Sequence, residues 1–260
     1  MDPSEVARLW EANAEGWTLL SREGYDRYRD LINTPAFLRM LPEINGLNGL
    51  DLGCGEGHNT RLLARRGARM TGIDIAPTFV RHAAAAERES PLGIRYHRAS
   101  AAALPFQEAS FDFTTAFMSL QDIADQRAAV AEAYRVTRPG GFFQFSITHP
   151  CFQTPKWGWI RDASGRKVAL TVGDYFREGA CRIEEWTFGA APPGLRERYP
   201  PFRTPYFEWT LSGWLNLLLR VGFKLEAFEE PTLDEETAQA HPEERDARII
   251  AYFLIVRCRR

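Results

Sequence analysis

Short apolar runs alternate with amphipathic stretches between residues 47 and 147. The runs at 47–52, 69–75, 94–98, 111–117 and 142–147 have the length of buried strands, whereas 58–66, 77–88 and 126–137 repeat apolar residues at helical spacing. Gly67 closes the first helical stretch, Pro77 opens the second, and Pro139-Gly140-Gly141 ends the third. This alternation predicts an α/β fold with a Rossmann-like, doubly wound, mostly parallel sheet.

The flanking segments follow other patterns. Apolar residues at helical spacing predict a helix over 4–20 with Ser4 as its N-cap, and a second helical stretch at 37–41. After His149-Pro150 the β-α alternation stops, and residues 150–209 hold 12 aromatics in 60 positions, or 20%, against 12% in the whole chain. Within this segment, 167–172 and 182–186 are typical of hairpin strands, and 162–165 of a turn.

Regular order returns near residue 210. A helix over 210–220 is predicted to stop at Gly222, and strands follow at 223–229 and 248–257. The acidic stretch at 229–246 is predicted to be a solvated connection. Four regions result: an N-terminal helical lid at 1–45, a Rossmann-like core at 46–149, an inserted aromatic-rich cap at 150–209, and the rest of the core sheet at 210–260.

The stretch Leu50-Asp51-Leu52-Gly53-Cys54-Gly55-Glu56-Gly57 carries the strongest chemical signal. It joins an apolar strand to a turn with three alternating glycines, and Asp74 ends the next strand. A glycine turn at the carboxyl end of a parallel strand lets a ligand approach bare backbone. A carboxylate at the end of the next strand can accept both ribose hydroxyls. This combination predicts a site for a nucleoside-bearing cofactor.

The spacing of the turn selects among nucleosides. A dinucleotide fingerprint requires Gly-x-Gly-x-x-Gly, but here the sixth position is His58 and the third glycine is Gly57. A pyrophosphate would also be repelled by Asp51 in the strand end. The site therefore favours a ligand with an adenosine end and a cationic amino acid end, which describes S-adenosylmethionine.

Composition narrows the remaining choices. The net charge of −2 gives no reason to expect nucleic acid or an anionic membrane as partner. Four scattered cysteines without a Cys-x-x-Cys favour a reducing cytoplasm over disulfides or a bound metal. No signal peptide and no apolar run long enough for a bilayer is visible. We expect no metal, and either a monomer or a homodimer.

These motifs resemble class I S-adenosylmethionine-dependent methyltransferases. Residues 50–57 are similar to the first motif of that family, Gly72-Ile73-Asp74-Ile75 to the second, and 103–106 with 110–112 to the third motif and fourth strand. Residues 134–141 resemble a segment of the ubiquinone and menaquinone biosynthesis methyltransferases. The resemblance covers 47–147 and implies a seven-stranded sheet whose last strand is antiparallel.

The resemblance also implies roles for individual residues. Asp51 and the backbone at Gly53 and Gly55 should hold the methionine amino group, and Asp74 the ribose hydroxyls. The remaining residues implied at the cofactor are Trp17 as a closing aromatic, Cys54, Asn59, Ile75 beside the adenine, Ser100 and Ala101 at its amine, and Phe117 at the methionine side. Ser100 stands where the family often has an acid, so the charge is missing there. Trp17 also fits ordinary core packing, as Cys54 fits a small buried filler.

His149 follows the fifth strand, at the edge where α/β sheets bind ligands. A neutral imidazole there could act as a general base, the predicted catalytic role, or it could order the turn before Pro150. Gln121 and Asp122 are expected at the same cleft or as helix caps. The aromatics of 150–209 fit a small core of their own, an apolar pocket over the acceptor, or both.

The sequence thus predicts an enzyme that methylates an oxygen, nitrogen or carbon atom of a small, partly apolar or aromatic molecule. One alternative is a module that binds S-adenosylmethionine without turnover. A second is a nucleotide-dependent oxidoreductase, which the glycine spacing disfavours.

Overall fold

A seven-stranded sheet forms the centre of the molecule in the computed structural model, which describes all 260 residues. The strands of the chain are β1 (Asn48–Leu52), β2 (Arg69–Asp74), β3 (Arg95–Arg98), β4 (Phe111–Phe117), β5 (Thr137–Thr148), β6 (Lys156–Arg161), β7 (Lys167–Gly173), β8 (Cys181–Trp186), β9 (Phe202–Phe207), β10 (Lys224–Glu229) and β11 (Phe253–Arg259). The central sheet has the order β10-β11-β5-β4-β1-β2-β3. Strand β11 runs antiparallel to both of its neighbours, β10 and β5, and the other pairs of the sheet are parallel. The predicted fold class is confirmed.

Helices cover both faces of the sheet. They are α1 (Pro3–Arg22), α2 (Thr34–Met40), α3 (His58–Arg65), α4 (Pro77–Glu89), α5 (Gln126–Val136), α6 (Pro193–Arg198), α7 (Leu211–Val221) and α8 (Glu235–Ala240). A π-helix spans Arg29–Asn33, and 3-10 turns span Leu120–Asp122 and Pro242–Arg248. No helix combines the length and apolar character that crossing a bilayer requires.

The main core lies between the sheet and helices α5 and α7. It includes Leu50, Ile73, Phe143 and Trp214, all nearly or fully buried. A second cluster on the opposite face packs Phe37 of α2 against Phe113 and Phe117 of β4. Burial on both faces fixes the carboxyl ends of β1, β2 and β4, which therefore give the site a rigid base.

Two small hairpins lie outside the sheet, in the segment predicted as a cap. Strand β6 pairs with β7 and β8 with β9, both antiparallel. The turn at 162–165 is confirmed, because the amide of Gly165 donates to the carbonyl of Asp162 at 2.9 Å. The predicted strands 167–172 and 182–186 belong to different hairpins. Their partners β6 and β9 carry aromatic, glycine and proline residues that hide the strand pattern.

Several predicted boundaries were wrong. The N-cap of α1 is Asp2, whose carboxylate accepts from the amides of Ser4 and Glu5, with Glu5 completing a capping box. Strand β5 begins at Thr137, which pairs with Phe111 across a bulge. The final strand begins at Phe253, where its register with β5 starts, rather than at 248.

The acidic stretch 229–246 is not a plain solvated connection. It contains α8 and a 3-10 turn, and Asp246 is 3% exposed. The carboxylate of Asp246 accepts from Tyr28 at 2.8 Å and Tyr252 at 2.7 Å and pairs with Lys167. Three donors compensate its burial. One carboxylate thereby ties together the chain after α1, a cap hairpin and the C-terminal segment.

Candidate functional site

A cavity of about 850 Å³ opens at the carboxyl ends of β1, β2 and β4 and continues beneath the hairpins. This volume lies in the range of small-molecule sites. All eleven residues predicted at the cofactor line it: Trp17, Asp51, Gly53, Cys54, Gly55, Asn59, Asp74, Ile75, Ser100, Ala101 and Phe117. The fold therefore brings together residues that are up to 100 positions apart. Their individual roles remain predictions.

We divide the cavity wall into two sides. The sheet-edge side follows the strand ends and comprises Asp51, Gly53, Gly55, Asp74, Ile75, Ala101 and Phe117. The cap side comprises Gln121 and Asp122 of the turn after β4 together with Gln153, Trp157, Glu184, Trp186, Thr204 and Tyr206. Gln121 and Asp122 thus lie at the cleft, which is one of the two alternatives that the sequence left open.

The glycine turn on the sheet-edge side has a backbone that only glycine adopts readily. Gly53, Gly55 and Gly57 have φ angles of 69°, 56° and 89°. A methyl group on Gly53 would meet Cβ of Ser119 at 2.5 Å, and one on Gly57 would meet the Tyr96 hydroxyl at 2.6 Å. At Gly55, by contrast, nothing lies within 4 Å of that position. The first and third glycines are needed for packing, and the middle one leaves room at the cavity.

Asp74 ends β2 and is 8% exposed. Its Oδ2 accepts from the amide of Gly55 at 2.8 Å and its Oδ1 from the amide of Ala76 at 2.9 Å. A carboxylate offers about four acceptor positions, so two remain for hydroxyl groups of a ligand. Burial raises the pKa of Asp74 to about 6, although these two amides oppose the shift.

Asp51 lies deeper, at 1% exposure. Its two oxygens accept from Thr60 of α3 at 2.6 Å and from Thr115 of β4 at 2.9 Å. Burial is the main reason that its pKa is also raised to about 6. Ionising both buried carboxyl groups, Asp51 and Asp74, is unfavourable without a nearby positive charge. The site therefore favours a cationic ligand. Two further acceptor positions are available to a ligand ammonium.

The other predicted residues have more local contacts. The Ser100 hydroxyl accepts from the amide of Ala102 at 3.2 Å, so it also shapes its own turn. Oδ1 of Asn59 accepts from Thr34 at 3.0 Å. Burial raises the pKa of Cys54 well above its usual range, which suits a packing role better than a reactive thiol.

Trp17 meets both alternatives that the sequence left open. It lines the cavity and also packs edge-on against Trp10, Trp186 and Phe188, with ring centroids 5.1–5.4 Å apart. Phe117 stacks on Phe37 at 3.7 Å. Both rings therefore serve the core and the cavity wall together.

Sequence reasoning missed several polar residues of the cavity, among them Arg29 and Asn33, the first and last residues of the π-helix. Arg29 donates to Asp30 at 2.7 Å and to the carbonyl of Ser21 at 3.2 Å. Asn33 is fully buried, donates to Ser146 at 3.1 Å, and has no partner for its Oδ1. No periodic signal marks a π-helix, so only the packed structure could place these residues.

His149 does not line the cavity. It is 2% exposed, and both ring nitrogens are engaged: Nδ1 accepts from the amide of Cys151 at 3.2 Å, and Nε2 lies 2.7 Å from Oε1 of Glu230. Burial lowers its pKa, which favours the neutral ring. These contacts favour the role of ordering the turn before Pro150. A catalytic role for His149 remains a prediction, and we assign it no step.

The donor set fits S-adenosylmethionine. Open backbone at Gly55 and free acceptor positions on Asp74 suit a ribose, while Asp51 and the unpartnered Oδ1 of Asn33 suit an ammonium group. Arg29 lines the same cavity and is a cation that a ligand carboxylate could pair with. No group of three or more His, Cys, Asp or Glu side chains is arranged to hold a metal ion.

Comparison with known proteins agrees with this geometry. The family described as Methyltransferase domain matches residues 50–145. An S-adenosylmethionine-dependent methyltransferase from Mesorhizobium loti superposes with a TM-score of 0.71 and is 31% identical, over 87% of this chain and 96% of that one. The chain belongs to the S-adenosylmethionine-dependent methyltransferases. The predicted family and the predicted cofactor, S-adenosylmethionine, are confirmed.

Curated methyltransferases match over shorter stretches. A malonyl-[acyl-carrier protein] O-methyltransferase from Pectobacterium atrosepticum is 32% identical over 124 residues, which is 47% of each chain. A ubiquinone biosynthesis O-methyltransferase from Paracidovorax citrulli is 34% identical over 153 residues, or 56% of this chain and 62% of the relative. The chain thus spans about half to three fifths of the length of these two relatives.

Proposed function

We propose that this protein transfers a methyl group from S-adenosylmethionine to an oxygen, nitrogen or carbon atom of a small, partly apolar or aromatic acceptor. One observation carries the proposal: a single cavity runs from the glycine turn and Asp74 to the aromatic rings of the cap side. Such a cavity can hold a nucleoside cofactor and a second molecule in contact. The relatives that methylate oxygen support this reaction class.

The protein would contribute to the reaction by positioning the two reactants and by enclosing them. When bound, S-adenosylmethionine supplies a methyl group already activated by its positive sulfur. Asp74 and the bare backbone at Gly55 would orient the nucleoside end, and Asp51, Asn33 and Arg29 the amino acid end. Trp17 and Trp186, in edge contact at 5.1 Å, would shield the cavity from bulk water. Orientation of two reactants can contribute roughly 7–11 kcal/mol to catalysis.

Two measurements test the proposal. Calorimetry with S-adenosylhomocysteine should give saturable one-site binding. Incubation with methyl-tritiated S-adenosylmethionine and a filtered small-molecule extract should then move label into an acceptor, and Asp74→Ala should reduce both signals. Binding without any label transfer would favour the non-catalytic module instead. Absence of binding would overturn the proposed function.

A further inference from the structure

The cap side has an unbalanced charge at Asp122. This residue is 8% exposed and lines the cavity. Its carboxylate receives one hydrogen bond, from Nε2 of Gln121 at 3.2 Å, and it forms no salt bridge. Buried carboxylates are normally paired with a cation or with several donors. Asp122 has neither from the protein itself.

The charged residues of β8 do not supply the missing cation. Burial, with added repulsion from Glu184, raises the pKa of Asp122 well above its usual range. Arg182 is already shared: it donates to Glu184 at 2.6 Å, pairs with Glu208, and lies 4.2 Å from the ring centroid of Tyr206. One guanidinium thus faces two carboxylates, and the group remains negative with Asp122 ionised.

A second polar group points to a ligand that donates hydrogen bonds. Gln121 is 4% exposed, and both of its identified bonds use Nε2, toward Met118 and Asp122. Its Oε1 is buried without a partner. With Asp122 ionised, the unused hydrogen-bonding capacity of the Gln121–Asp122 pair is therefore all acceptor. These two side chains then offer no free donor to an anionic ligand, whereas an ammonium ligand brings three donors to them.

The aromatic walls favour the same chemistry. Trp157 and Trp186 line the same cavity as these carboxylates. Rings of this kind attract cations through their faces and bury the apolar part of a ligand. From these observations we infer that the methyl acceptor is an amine with an apolar or aromatic body, whose ammonium group is recognised by Asp122 with support from Gln121 and Glu184. The inference rests on the proposed function and narrows its acceptor class.

The test uses three probes that differ mainly in charge: 2-phenylethylamine, 2-phenylethanol and 3-phenylpropionate. Their binding to the full chain saturated with S-adenosylhomocysteine is measured by ligand-observed NMR titration at pH 7. The amine should bind at least about tenfold more tightly than the alcohol, as expected for a hydrogen bond to a charged group, and the carboxylate should bind most weakly. Asp122→Asn should reduce the preference for the amine to about threefold or less.

Two further variants separate recognition from folding. Glu197→Gln removes a carboxylate from the exposed surface of α6 and should keep the full preference. Glu184→Gln should lower the preference for the amine by a smaller factor than Asp122→Asn does. It also provides an independent test if Asp122→Asn proves unstable. Equal binding of amine and alcohol, failure of the amine to bind, or an unchanged preference in both cap-side variants would overturn the inference. Failure of the wild type to bind S-adenosylhomocysteine would instead overturn the proposed function.

Discussion

The two sides of the cavity differ in how the chain builds them. The sheet-edge side stands on strands buried on both faces, and its Gly53 is in close contact with the side chain of Ser119. The cap side stands on two two-stranded hairpins with a small core around Phe188 and Phe202. Gly189 and Gly194, in the cap segment, have open space around them. The sheet-edge side is therefore closely packed and should tolerate few substitutions. The cap side should accept different side chains.

This difference lets related enzymes share the cofactor-binding side while their acceptor-binding sides differ. A cofactor common to many enzymes requires the same turn and the same acid in each. The acceptor differs from enzyme to enzyme, and a hairpin layer with its own core can alter side chains without disturbing the sheet. The four predictions below test this contrast.

The largest expected effect on stability comes from adding a methyl group to Gly53, compared with the same change at Gly189. Gly53→Ala forces a left-handed φ on alanine and a contact of 2.5 Å with Ser119. The free energy of unfolding should fall by about 2–4 kcal/mol. Gly189→Ala, on the cavity wall near the cap, should change it by no more than about 0.5 kcal/mol. Urea unfolding measures both, and equal losses would remove the contrast in tolerance.

The second prediction concerns the cost of the buried acid at Asp51. Its pKa is about 6 in the folded chain against about 4 unfolded, so the folded state holds the proton more tightly. Below pH 4 the ionisation of Asp51 therefore does not affect the free energy of unfolding. Between pH 4 and pH 6 it lowers that free energy progressively, and above pH 6 the loss stays constant. Asp51→Asn should gain up to about 2–3 kcal/mol over wild type between pH 4 and pH 7.

Urea titrations at several pH values give that difference directly. The matched control is Glu236→Gln, whose side chain is exposed on α8. Its offset from wild type should stay constant over the same range. If the free energies of unfolding of Asp51→Asn and wild type vary with pH in parallel, burial of the Asp51 carboxylate does not destabilise the folded state.

The third prediction separates the two sides by ligand. Asp74→Ala removes the acceptor of two backbone amides and of the proposed ribose hydroxyls. Affinity for S-adenosylhomocysteine should fall by about 1.5–3 kcal/mol, measured by calorimetry. Asp122→Asn on the cap side should leave this affinity unchanged. A cofactor affinity that responds to both variants alike would show that the two sides do not act separately.

The smallest effect is expected at His149. Its ring nitrogens are already bonded to Cys151 and Glu230, so His149→Gln should cost about 0.5–1.5 kcal/mol of stability. With a base role, turnover at saturating acceptor would drop by about 10²–10⁴-fold. We expect it to change little. Initial rates at saturation and urea unfolding distinguish the two roles.

The sequence by itself determined the alternation of strands and helices in the core, the glycine turn and the cofactor class. These features are local: alternating apolar runs, glycines where φ must be positive, and Asp74 at a strand end follow from neighbours along the chain. Strand pairing then brings them together without further choice, since parallel strands share one carboxyl edge.

Tertiary structure alone decided the rest. The contacts of His149, the π-helix residues Arg29 and Asn33, and the burial of Asp246 and Asp122 depend on segments distant in the chain. A polar residue in a loop looks the same in the sequence whether water or a folded hairpin covers it. Its burial, and hence its charge balance, is fixed only when the hairpins pack over the sheet edge.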